Sequence, residues 1–183
     1  MNLVAVVEDL LTGSPRCGST HIIAIDGRAG AGKTTLANEL ALALSPRRKV
    51  SVVHLDEIYA GWELALSDAL TTSLSQILES ISVGATITVA VYNWTLQQFD
   101  STREISPCDL LIIEGVGSAQ RVVRDLATAS IWIDIDQQTG LERVLGRDGF
   151  AIADQMNLWQ ESEERHFASD ATRENADFIL STP

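Results

Sequence analysis

Gly27, Gly32, Lys33 and Thr34 stand at the spacing G-x-x-x-x-G-K-[ST] inside the stretch IIAIDGRAGAGKTTL, residues 22–36. That spacing does one kind of chemistry well. A turn of small residues, Ala29, Gly30 and Ala31, lets the backbone come close to a phosphate chain. Its N–H groups then converge on the anion, helped by the N-terminus of the helix that follows. Lys33 brings a mobile positive charge to the β- and γ-phosphates, and the Thr34 hydroxyl is placed to ligate Mg²⁺. Gly27 through Thr35 is therefore expected to bind a nucleoside triphosphate, with Ala29, Gly30, Ala31, Gly32, Lys33, Thr34 and Thr35 in contact.

Two acids extend this constellation. Asp56 ends the apolar run that follows the loop's helix, where a carboxylate can take the proton of an attacking hydroxyl or hold Mg²⁺ through water. Glu114 ends LLIIE, residues 110–114, and is expected beside Thr34 as a metal-side acid, since Mg²⁺ takes hard oxygen ligands. Arg143 and Arg147, four residues apart, share a helix face and can neutralise charge over the phosphates; capping a helix C-terminus is their alternative use. Tyr59, Trp62, Tyr92 and Trp94 fall in two loops after strand ends, where aromatics either wall a pocket or simply pack. His54 and His166 have no nucleophile nearby and are read as structural, with Trp132 and Trp159 as packing residues.

The elements that must position these residues alternate. Strands are expected at 22–26, 50–55, 85–92, 109–114 and 130–135, with a last short one within Thr172–Leu180. Helices are expected at 34–44, about 67–81, from the Gly115–Ser118 turn to about Ala127, 138–145 and about 154–167. Such alternation gives a parallel sheet covered by helices on both faces, with ligands at the carboxyl edge; Gly27, Asp56, Tyr92 and Glu114 are all placed on that edge. Residues 93–107 read as a polar segment. Residues 1–20 form an accessory helix and a linker, TGSPRCGST, leaving packing on the sheet and a homodimer contact both open. Residues 21–183 form the main domain, with a short lid over about 146–170.

Composition narrows the function classes. The 183 residues carry a formal charge of −12 and are 45% hydrophobic, which fits one globular domain and disfavours a nucleic-acid partner. No apolar run reaches the roughly 20 residues of a membrane span, and Leu3–Leu11 lacks the basic lead-in of a signal peptide. Cys17 and Cys108 are isolated, as expected of plain thiols in a reducing cytoplasm. Only Lys33 and Lys49 are lysines among 13 basic residues. Glu161, Glu163, Glu164 and Asp170 read as a solvated helix face.

The ordered pieces IDGRAGAGKTTLA, HLDEIY, VYNW, LLIIEG, RVLGRD and TRENAD resemble the uridine kinase and phosphoribulokinase group, over about residues 22–179. The resemblance implies the three-layer α/β/α fold of P-loop NTPases, with a mostly parallel central sheet. It also implies ATP as donor, Mg²⁺, Asp56 as catalytic base, Arg143 and Arg147 as lid arginines, and the TRENAD segment near the adenine. Tyr59, Trp62, Tyr92 and Asn93 are then the acceptor side. Asn93 stands where the group has an acid, and TLQQFDS follows where pyrimidine-specific members have histidine and arginine.

The expected function is transfer of the γ-phosphate of ATP to a hydroxyl of a neutral, nucleoside-like or other small acceptor. A nucleoside monophosphate or dephospho-coenzyme A kinase is the alternative enzyme, and a nucleotide-binding switch is the alternative outside enzymes. An anionic acceptor needs arginines between the loop's helix and the third core strand, and Tyr59–Pro107 contains only Arg103.

Overall fold

In the computed structural model, residues 2–181 are described; Met1 and the last two residues of the 21–183 unit lie outside them. Five strands form one all-parallel sheet in the order β2–β5–β1–β6–β7: β1 (His21–Gly27), β2 (Val50–His54), β5 (Leu110–Glu114), β6 (Ala129–Asp134) and β7 (Phe178–Ser181). Their apolar side chains alternate between the two faces, as the pleat requires. Ile22, Ala24, Leu111, Ile113 and Trp132 enter one core with Leu70, Leu74, Leu78, Val123 and Phe167. Ile23, Ile25, Leu110, Ile112, Ile131 and Ile133 enter the other with Leu40 and Leu44. Helices α4 (Asp68–Ser82), α5 (Arg121–Arg124), α6 (Gln137–Asp148) and α7 (Ala153–Asp170) thus contribute to the first layer, and α2 (Lys33–Leu44) builds the second. The architecture is a three-layer α/β/α phosphate-loop fold.

The N-terminal helix α1 (Leu3–Leu10) packs against the rest of the chain. Val7 and Leu11 are buried in the same core as Leu40 and Leu44, and Arg47 pairs with Glu8 at 2.7 Å, so α1 packs beside α2 over the sheet.

Two expectations about the elements are corrected. The alternating stretch after Gly84 does form a strand, β3 (Ile87–Asn93), but outside the parallel sheet. It pairs antiparallel with β4 (Gln98–Ile105), a strand within the segment read only as polar. The pattern was weak there because most of β4 faces solvent, so no apolar periodicity marks it. Tyr92 consequently lies in a hairpin and not at the carboxyl edge of the sheet. The helix expected after Gly115 shrinks to the single turn of α5. The preceding backbone N–H groups of Gly117 and Ala119 donate instead to the Asp26 carboxylate, at 3.0 and 2.9 Å.

Candidate active site

All the sheet's carboxyl ends lie on one edge, and β1 at its centre leads straight into the phosphate loop. Gly32, in a left-handed conformation with φ of 93°, turns the chain into α2. Gly30 has φ of 79°, and a Cβ there would stand 2.3 Å from the carbonyl oxygen of Gly140, so the loop tip rests directly on α6. Lys33 Nζ donates to the carbonyls of Gly27 and Arg28, both at 2.8 Å, which holds the ammonium within the loop.

Beside the loop, Thr34 Oγ1 donates to Glu114 Oε1 at 3.1 Å, the juxtaposition expected from their spacing. Glu114 is buried, and the same Oε1 lies 2.6 Å from His54 Nδ1. That hydrogen bond, with the Glu114 charge behind it, raises the pKa of His54 above its ordinary value although burial opposes the shift. Asp56 follows β2 in a short turn, Leu55–Glu57. Its cavity side is open to solvent, yet enough protein surrounds the carboxylate for desolvation to raise its pKa, against the pull of Lys33.

A cavity of about 570 Å³ collects these groups: Gly30, Lys33, Thr34, Asp56, Glu114, Arg143 and Arg147 all line it, with Ala29, Gly32 and Thr35. Arg147 makes a two-point pair with Asp148, at 2.7 and 2.6 Å, which raises its pKa further. Arg143 NH1 reaches the Gly30 carbonyl at 3.5 Å. The rest of the lining is largely aromatic and apolar: Tyr59, Trp62, Trp94, Val116, Ile152, Met156 and Trp159. These aromatics touch edge to face, Trp62 with Trp94 at 5.1 Å and with Trp159 at 5.9 Å. The Trp94 indole N–H donates to the Asp56 carbonyl at 2.9 Å, tying this wall to the acid.

The hairpin residues are placed differently. Tyr92 lines an adjoining cavity that shares Trp62, Trp94 and Trp159 with the first. Asn93 lines neither: its amide donates to Asp100 at 2.6 Å and its oxygen accepts from the Thr95 and Leu96 N–H groups, each at 3.0 Å. It shapes the hairpin turn. In the TRENAD segment, Asp177 accepts from the Ser130 N–H and hydroxyl near the start of β6, away from the sheet edge that carries the loop.

Three residues of the site went unread. His54, which its sequence surroundings mark as structural, hydrogen-bonds Glu114. Asp26, fully buried, joins the loop to the segment after β5 through Gly27, Gly117 and Ala119. Glu163, expected on a solvated face, is 1% exposed and accepts from the Ala29 N–H at 2.8 Å. Asp170 is likewise drawn from solvent by an ion pair with Arg124. A signal for Glu163 was present: with Met156, Trp159 and Phe167 it completes a buried stripe at helical spacing, and an acid on such a stripe needs a partner.

No family model matches the chain. Uridine kinases of Staphylococcus aureus strains JH9 and Newman are 28% identical to it over 144 residues, covering 71% of this chain and 69% of theirs. In this the chain is similar to uridine kinases. Among solved structures, one described as a possible uridine kinase from Bacillus stearothermophilus superposes with a TM-score of 0.69 at 20% identity, covering 98% of this chain and all of that one. D-glycerate 3-kinase from Cryptococcus neoformans superposes with a TM-score of 0.63 at 12% identity, covering 98% and 94%. These structural likenesses show the fold. Relatives of this kind support a phosphotransferase in general terms.

Proposed function

We propose that the chain is an ATP- and Mg²⁺-dependent kinase that phosphorylates a hydroxyl of a neutral small molecule. The observation that carries this reading is the shared cavity: Lys33, Thr34, Asp56, Glu114, Arg143 and Arg147 line it together with the aromatics Tyr59, Trp62, Trp94 and Trp159.

The acceptor hydroxyl attacks the γ-phosphorus and gives its proton to Asp56. A new P–O bond forms as the bond from the γ-phosphorus to the β,γ-bridging oxygen breaks, and ADP leaves. A raised Asp56 pKa suits this role, because it makes the carboxylate a stronger base. Lys33, the loop N–H groups and the two arginines stabilise charge on the migrating phosphoryl group. The Thr34 hydroxyl and the Glu114 carboxylate, 3.1 Å apart, form an oxygen pair that would suit Mg²⁺, and Asp56 lines the same cavity. When bound, the ion supplies charge neutralisation on the β- and γ-phosphates.

A neutral acceptor is favoured by the fate of Arg103. It donates to Glu57 and to the Val52 carbonyl, each at 2.5 Å, and is absent from the cavity wall. The wall on that side offers Tyr59, Trp62, Trp94 and Trp159, suited to a flat or apolar body beside the reacting hydroxyl.

The test is ATP consumption with a panel of nucleosides, sugars and other alcohols, run beside phosphorylated acceptors and with Asp56→Asn as control. Turnover with a neutral alcohol that disappears in Asp56→Asn is the expected result. Preference for a phosphorylated acceptor would instead favour a nucleoside monophosphate or dephospho-coenzyme A kinase. ATP binding without consumption across the whole panel would favour a nucleotide-dependent switch.

A further inference from the structure

Glu163 is a buried carboxylate that the phosphoryl-transfer chemistry leaves without a task. Its Oε1 accepts two hydrogen bonds, from the Ala29 N–H at 2.8 Å and from the Trp159 indole N–H at 2.6 Å. Its Oε2 is buried with no hydrogen-bond partner and lies 3.9 Å from Arg28 NH1, itself buried and unpartnered. The next residue, Glu164, pairs with Arg28 NH2 at 2.5 Å. Two successive residues of the phosphate loop, Arg28 and Ala29, are thus held by two successive residues of α7.

The helical repeat gives this contact its reach. Met156 and Trp159 face the cavity, and Glu163, one turn beyond Trp159, faces the loop. Trp159 also packs on Tyr59 and Trp62, with ring centroids 5.6 and 5.9 Å away. One oxygen atom therefore bonds both a backbone donor of the phosphate loop and an indole of the aromatic wall. An uncompensated carboxylate is costly to bury beside an anion-binding loop, so its position is explained by the donors it holds.

We propose that Glu163 is a positioning residue for the phosphate loop, and that through Trp159 it joins the loop and the aromatic wall into one unit. The inference rests on the reading of the loop as a triphosphate site. Nucleotide binding shifts the Ala29 segment and is felt at the Trp159 indole; the loop, in turn, depends on Glu163 for its binding-ready shape. The oxygen matters and the charge does not, since an amide oxygen in the same place accepts the same two bonds.

The experiment titrates wild type, Glu163→Gln, Glu163→Ala and Trp159→Phe with a non-hydrolysable ATP analogue and Mg²⁺. Affinity is read by calorimetry, the indole by tryptophan emission, and folding by thermal melts. Glu163→Ala is expected to bind the analogue about ten-fold more weakly, through loss of the hydrogen bond to the loop backbone. Glu163→Gln is expected to restore most of that affinity, and the Trp159 part of the emission change on binding, the difference between wild type and Trp159→Phe, to be lost in Glu163→Ala. Equal affinity for folded Glu163→Ala and wild type would overturn the inference, as would an emission change in Trp159→Phe equal to that of wild type. If Glu163→Ala fails to fold, Glu163→Gln binding ten-fold more weakly than wild type would overturn it. Wild-type protein that binds no triphosphate would overturn the functional reading itself, a distinct result.

Discussion

His54 Nδ1 and Glu114 Oε1 lie 2.6 Å apart, and that same carboxylate oxygen accepts the Thr34 hydroxyl. The imidazole thus fixes the acid proposed to help hold Mg²⁺. Outer partners of this kind usually change metal affinity by about 10- to 100-fold when removed. His54→Ala is expected to raise the Mg²⁺ concentration needed for half-maximal ATP turnover by about ten-fold, and His54→Gln by less. Stability carries a second sign: the pair contributes fully below pH 6.5 and loses its charge as pH rises through the higher folded value. Melting curves of His54→Ala across that range should show a flatter decline than wild type.

Asp56→Asn is expected to keep affinity for ATP and to lower turnover by about 100-fold or more, the usual scale for a missing general base. Because burial raises the Asp56 pKa, the acidic limb of the rate profile should lie above the ordinary carboxylate value of 3.8. Activity falls as pH drops through that limb, where the base takes up a proton. A pH–rate profile locates it, and loss of ATP binding along with turnover would make Asp56 structural.

Helix α6 contains its own control. A Cβ on Gly140 would stand 2.6 Å from the Ala29 carbonyl oxygen, whereas one on Gly146 would meet nothing within 4 Å. Gly146→Ala should raise stability by about 0.5–1 kcal/mol, the ordinary gain inside a helix. Gly140→Ala should lower it by about 1–3 kcal/mol through overpacking and also weaken nucleotide binding, because the strain falls on the phosphate loop. Denaturant melts and nucleotide titration of the two variants separate these effects.

Burial pushes the Cys108 thiol up to about 11 and raises that of Cys17. At pH 8 both are expected to react with thiol reagents far more slowly in native protein than after unfolding, since the thiolate is the nucleophile. Between pH 9 and about 11 the unfolded chain releases a proton that folded Cys108 keeps, so stability falls as pH rises. Cys108→Ala should remove that part of the alkaline slope in pH-dependent melts.

What could be read in advance follows the range of the interactions. The loop, Asp56 and Glu114 were visible because short, local patterns put each at the end of an apolar strand. The sheet's layers followed from strands alternating with helices along the chain. Glu163 and Ala29 are 134 residues apart, and His54 and Glu114 are 60 apart. No local spacing announces such partners, and polar residues there look like surface. Asn93 shows the reverse case: its place in an aromatic motif suggested a ligand contact, while its side chain is spent on turning the chain.

The two-stranded hairpin has a consequence for how such a protein can diversify. Its ladder is independent of the central sheet, and it carries Tyr92 and Trp94 toward the aromatic side of the cavities. Substitutions, insertions or a shifted register there can reshape what is recognised while the helix bearing Lys33 and the strand bearing Glu114 keep their places. Selection can therefore try new acceptors on an inherited phosphate-handling scaffold, and strong sequence drift in the hairpin is compatible with unchanged donor chemistry.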